Sequence, residues 1–117
     1  MDDRDLGSYM ADFGARSFQA TTKGAAAFAR LLELAEHQDS GQIRRVVQFI
    51  AALYNGSAFP LDVYELRAVD VAIGDDMLLC LDALRWAKAD LHTLVTDGDA
   101  RIRALIEGWG LRWPDAN

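Results

Sequence analysis

Apolar residues in this chain recur at three- and four-residue steps, and almost nowhere do they alternate with polar ones. Ile43, Val46, Val47, Ile50, Leu53 and Tyr54 form the widest such stripe. Ala25, Phe28, Leu31, Leu32 and Ala35 form a second, and Ile73, Met77, Cys80, Leu81 and Leu84 a third. A strand places one face at every second residue, whereas a helix gathers residues three and four apart on one side. No hairpin turn lies between β-branched runs. The expected fold is all-α, a compact bundle of about five helices with short connectors.

Punctuation residues divide the stripes. The first helix is expected over residues 22–38, ended by Asp39-Ser40-Gly41. Ser40 or Asp39 can cap the next helix, and Asp39 with Gln42 has capping-box spacing. Asn55-Gly56 is a stop, since both residues tolerate positive φ. Asp62 and Glu65 then form a capping box, with Leu61 and Leu66 at the staple positions, so a short helix is predicted over 63–68. Asp70 can cap the third stripe. Gly74 inside that helix costs about 1 kcal/mol against alanine, which its packing is expected to offset. Residues 88–95 read equally as a short helix or a continuation of the one before. Asp97-Gly98 is a turn, and Ile102, Leu105, Ile106 and Trp109 mark a last helix stopped by Gly110.

The first twenty residues break this pattern. Asp, Gly and Ser are frequent, and Tyr9, Met10, Phe13 and Phe18 lie scattered without helical period. Residues 1–20 are expected to be a flexible arm, with Phe13 or Phe18 docked on the body. Residues 21–113 form a single helical domain on this reading, and 114–117 a tail.

Composition narrows the classes. The chain has 117 residues, 51% of them hydrophobic, and a net charge of −6. It is one domain, with a folded surface of roughly 6,300 Å² and about two-thirds of the unfolded surface buried. One cysteine, Cys80, excludes a disulfide scaffold. Asp2, Asp3 and Asp5 precede any apolar stretch, unlike a signal peptide. The longest near-apolar run, Val46 to Tyr54, is short of the roughly 20 residues a bilayer requires. A cytoplasmic protein without a membrane partner is expected. The acidic balance also makes nucleic acid an unfavourable partner.

The charge is uneven. Residues 1–12 hold four acids and one base, residues 13–61 three acids and five bases, and residues 62–90 seven acids and three bases. Solvated helix faces of opposite sign account for such a distribution.

The chemical inventory is thin. His37 stands at a helix end, where a cation is favoured. Asp90 and His92 offer one edge of a metal site, without the further ligands that site requires. Cys80 lies on an apolar stripe, where a thiol is an inert small hydrophobe. No phosphate loop or nucleophile elbow is present. Neither a catalytic residue, a metal nor a cofactor is expected, and the chain is not read as an enzyme.

Candidate interaction residues remain. Arg44 and Arg45 lie in the first turns of a helix, where cations oppose the dipole. They are either neutralised by Glu33, Glu36 or Asp39, or they grip a partner's carboxylate or phosphate. Asp75, Asp76 and Asp82 lie away from the apolar stripe, as a solvated face or an acidic recognition surface. Trp113, past the last helix, either folds back on the body or anchors in a partner's pocket.

The run Gly41-Gln42-Ile43-Arg44-Arg45-Val46-Val47-Gln48-Phe49-Ile50, followed by Leu53-Tyr54-Asn55-Gly56, resembles a family of small uncharacterised bacterial proteins met on plasmids and integrative elements. The pattern continues through Phe59-Pro60-Leu61-Asp62, Leu66-Arg67-Ala68-Val69-Asp70, Asp76-Met77-Leu78, Leu91-His92 and Trp109-Gly110-Leu111, covering about residues 22–112. The resemblance implies an accessory gene of mobile DNA and brings no assigned reaction or ligand. The expected role is protein–protein interaction, as an adaptor or inhibitor acting on an unidentified protein partner. The alternative is a small DNA-binding regulator using the Arg44-Arg45 helix, in which case Arg44, Arg45, Arg16 and Lys23 must converge on one face.

Overall fold

Helix α1, Asp3–His37, is 35 residues long in the computed structural model, which describes residues 3–114 and their side chains from residue 5. At 1.5 Å per residue it spans about 52 Å, nearly the whole of the 55 Å long axis of the molecule. After it come α2 (Gly41–Tyr54), a 3-10 helix (Val63–Ala68), α3 (Val71–Trp86), a second 3-10 helix (Leu91–Leu94) and α4 (Gly98–Gly108). No strand occurs among the described residues. The fold is an all-α bundle of about five helices, and none of them is long and apolar enough to cross a membrane.

The core forms where the expected stripes meet. Phe28, Leu31, Ile43, Ile50, Met77 and Ile102 are buried in one cluster. Burying such a side chain contributes about 1.5–3 kcal/mol. Leu81 and Trp109, expected in the core, only lean on its edge.

Helix α3 runs antiparallel to α1. Phe13 meets Trp86, Gly24 meets Ala83, and Arg30 meets Asp76. The approach is close because small residues line it. A Cβ on Gly24 would lie 2.3 Å from the Ala83 Cβ and 2.9 Å from the Leu79 carbonyl oxygen. Ser17, Ala20, Gly24 and Ala27 are all buried along this line.

The reading of residues 1–20 as a stretch without helical period is corrected here. From Asp3 the chain is helical without interruption into α1. The expectation for residues 1 and 2, and for most of the tail at 114–117, lies outside the described residues. Leu6, Met10, Phe13, Ser17, Ala20, Gly24, Ala27 and Leu31 follow one another at alternating steps of four and three. That is an unbroken heptad seam, and half of it is made of small residues. Phe13 docks on the body, edge-on to Trp86 with ring centroids 4.9 Å apart.

The first three turns of α1, ahead of Phe13, project past the end of α3. Residues 5–16 are all exposed. The radius of gyration is 16.3 Å, against about 13 Å for a compact chain of this length. The accessible surface is likewise 7625 Å², well above the roughly 6,300 Å² expected from mass.

Several connectors differ from their expected form. Asn55 ends α2 in an extended conformation, φ −153°, with its N–H on the Ala51 carbonyl and its side-chain oxygen accepting from Ala58 N–H at 3.1 Å. Asp62 caps as predicted, accepting from Tyr64 N–H at 3.0 Å. Glu65 does not complete the box, because Arg45 takes its carboxylate. Gln42 does not complete the box with Asp39 either. Its amide reaches Asp70 instead, donating to the carboxylate at 3.0 Å and accepting from the backbone N–H at 2.6 Å.

Ala87 adopts the left-handed region, φ 54°, and ends α3 before the second 3-10 helix. Residues 88–95 are therefore no continuation of α3. Gly98 is required where it stands, since a Cβ there would lie 2.0 Å from the His92 carbonyl oxygen. Gly74 is not required, because the nearest atoms to its Cβ position are 3.9 Å away. The packing expected to offset its cost is absent.

Candidate functional site

The two ends of the bundle carry different chemistry. At the α2–α4 end, Trp113 folds back. Its ring lies edge-on to Phe59 at 4.8 Å and to Tyr54 at 6.4 Å, and it keeps 40% of its surface exposed. Arg103 sits over both Tyr54 and Trp113, 5.7 and 5.8 Å from the ring centres. The Tyr54 hydroxyl donates to Asp99, which holds the carboxyl below its usual range and raises the phenol. His92 packs edge-on to the same tyrosine at 5.0 Å.

Arg44 and Arg45 diverge. Arg44 is exposed, and no ion pair to it occurs among the described residues. Arg45 is half-buried and paired with Glu65, none of the three acids considered from the sequence. That pair forms one wall of an open cleft of about 360 Å³ shared with Phe59, Pro60, Leu61 and Arg112. Glu36, one of the expected partners and near the C-terminus of α1, pairs with α4 instead. Arg101 grips it with two hydrogen bonds of 2.5 and 3.1 Å, which lowers the Glu36 pKa.

The acidic residues of α3 are largely engaged. Asp76 takes two hydrogen bonds from Arg30, at 2.8 and 3.1 Å, and so brackets α1 to α3. Asp82 pairs with Arg85 at 2.6 Å. Asp75 alone of the three is exposed without an ion pair among the described residues.

Cys80 is buried in the α1–α3 seam. Its thiol donates to the Gly24 carbonyl at 3.8 Å, and burial pushes its pKa up to about 12. A thiol so placed stays protonated and is no nucleophile at neutral pH. No group of three or more His, Cys, Asp or Glu side chains able to hold a metal occurs among the described residues.

The other end of the molecule is where sequence reasoning fell short. Leu6, Tyr9, Met10 and Phe13 form a continuous apolar face on the projecting turns of α1, 48, 59, 63 and 52% exposed. The stripe ends on Trp86, which Arg16 and Arg85 flank at 5.5 and 5.4 Å from the ring centre. Lys23 lines the same shallow hollow. The signal for this face was available as the heptad spacing, once Ser17, Ala20 and Gly24 are counted with the large apolar residues.

A family model described as a family of unknown function, DUF7673, matches residues 25–110. The chain belongs to that family. The family domain spans α2, α3, α4 and the C-terminal part of α1. The projecting turns of α1 lie ahead of the matched residues. No curated protein and no solved structure matches the chain.

Proposed function

We propose that this chain is a non-catalytic interaction module, an adaptor or inhibitor whose projecting helix arm makes a protein contact. The observation that carries the reading is the apolar face of Leu6, Tyr9, Met10 and Phe13, which starts at Trp86 and runs out along about three helical turns beyond the bundle. Contiguous exposed apolar patches of this kind mark interaction sites. The buried, protonated Cys80 and the paired carboxylates of α3 support the non-catalytic part of the reading. A cytoplasmic place, and a bacterial mobile element as source, follow from the sequence resemblance and belong to the same proposal.

The DNA-binding alternative loses its main support. Arg16 and Lys23 stand beside Trp86, whereas Arg45 is tied to Glu65 and Arg44 lies near the far end of α1. Along a helix, positions 16 and 36 are separated by about 30 Å. The four cations do not make one face.

A photo-crosslinking residue at position 10 of the full chain, irradiated in the producing cell, tests the proposal. A protein adduct at position 10 and none at the exposed position 107 on α4 is the expected result. No protein adduct at position 10, or equal capture at both positions, overturns it.

A further inference from the structure

We infer that the occupant of the projecting face is a second copy of this chain, its α1 arm seated antiparallel on the first. This deepens the proposal above and rests on its reading of that face. Three observations carry it.

The first is continuity. The seam that α3 covers from Ser17 to Leu31 runs on in phase through Phe13, Met10 and Leu6, where α3 has already ended at Trp86. A helix laid on the remaining seam lies in line with α3. A second arm running antiparallel to the first takes the same direction as α3, so its first turn arrives at the C-terminal end of α3.

The second is charge. Residues 1–12 carry four acids and one base. Where α3 ends, Arg16 and Lys23 of α1 stand around Trp86 beside the Asp82–Arg85 pair of α3, so the hollow keeps a positive excess, and neither Arg16 nor Lys23 has an ion pair among the described residues. Antiparallel seating brings each acidic first turn to the basic hollow of the other copy, twice over by symmetry. Parallel seating sets acid against acid.

The third is area and helicity. The four apolar side chains expose roughly 120 Å² each, so two copies remove about 1,000 Å² before flanking atoms are added, the threshold for a specific interface. The arm also contains Gly7 and Gly14, each about 1 kcal/mol worse than alanine in a helix. The arm propagates from the packed part of α1, so its helicity rests on residue propensity alone, which these glycines lower. A cover over its apolar face supplies what its own propensity lacks.

Light scattering on the purified full chain, followed through a dilution of about a hundredfold from about 100 μM, tests this, with circular dichroism alongside. The expected mass is twice 12.9 kDa at the top of the series, falling towards 12.9 kDa on dilution with loss of helix signal. Met10→Glu puts a charge into the pairing face and weakens the dimer by at least about a hundredfold, while the α-helical body keeps its unfolding transition. Arg16→Glu weakens it less, and added salt weakens the wild-type dimer.

A monomer throughout overturns self-pairing, and an adduct of another protein at position 10 then leaves the interaction reading standing. A dimer indifferent to Met10→Glu overturns this face as the interface. A dimer strengthened by salt overturns the antiparallel seating.

Discussion

Leu31 and Leu6 occupy the same face of the same helix, yet Leu31 is 1% exposed and Leu6 48%. Between them the spacing never changes. The difference lies in the neighbour: α3 is 16 residues long, stops at Trp86, and turns away through a left-handed Ala87. Burial along α1 is therefore decided by the length of α3 and not by the pattern of α1. An apolar seam states where a helix can be covered, and a second element has to be found for every turn of it.

The comparison breaks most visibly at its aromatic residues. Phe28→Ala in the covered half is expected to lower stability by about 3–5 kcal/mol. Phe13→Ala, whose ring meets Trp86 and Tyr9 and stays half exposed, should cost under about 1.5 kcal/mol at concentrations where the chain is monomeric. Denaturant melts of both variants check this, and equal losses would mean that the arm is as well packed as the body.

Next in size is the closest point of the seam. Gly24→Ala drives a methyl group into Ala83 and should cost about 1–3 kcal/mol, and Ala83→Gly in the same chain should restore only part of it, because the Leu79 carbonyl oxygen stays 2.9 Å from the new Cβ. Gly14→Ala, where the position meets open space, is expected to stabilise the arm by about 1 kcal/mol of helix propensity and to raise the helix signal. The two glycines thus respond with opposite signs on one helix.

Much of the body could be read in advance. Ile43, Val47, Ile50, Met77 and Ile106 are buried as their spacing requires, because large apolar residues report burial directly. The arm was misread for the converse reason. Its seam passes through Ser17, Ala20 and Gly24, which carry too little hydrophobic surface to show a period, although they are the residues that let α3 approach. The interaction candidates suffered from a similar blindness. Asp76 and Arg45 look like surface charges in sequence, but their partners Arg30 and Glu65, 46 and 20 residues away, are visible only once the helices are packed, whereas the Asp82–Arg85 pair, three residues apart on α3, was within reach of the spacing. The Arg44-Arg45 pair separates because adjacent residues on a helix point about 100° apart.

The fourth prediction concerns Glu36, which links the body end of α1 to α4. The Arg101 guanidinium holds its pKa below the unfolded value. Its contribution is thus complete above the usual carboxylate range and is lost as pH falls through the lowered value. Both side chains are a little over a quarter exposed, so the effect is about 1 kcal/mol or less. Thermal melts should show Glu36→Gln less stable than wild type at pH 7 and equal to it near pH 2. A deficit that persists at the acid end would assign the loss to packing.

Cys80 turns the seam into its own clock. The only thiol of the chain is sealed beneath Gly24, so an alkylating reagent reaches it when α1 and α3 part and not before. The labelling rate of the unmodified protein then counts openings of that joint. If a second arm lies in line with α3, the count should slow as the protein is concentrated, which makes a single buried sulfur atom a reporter of assembly about two turns away, past the end of α3.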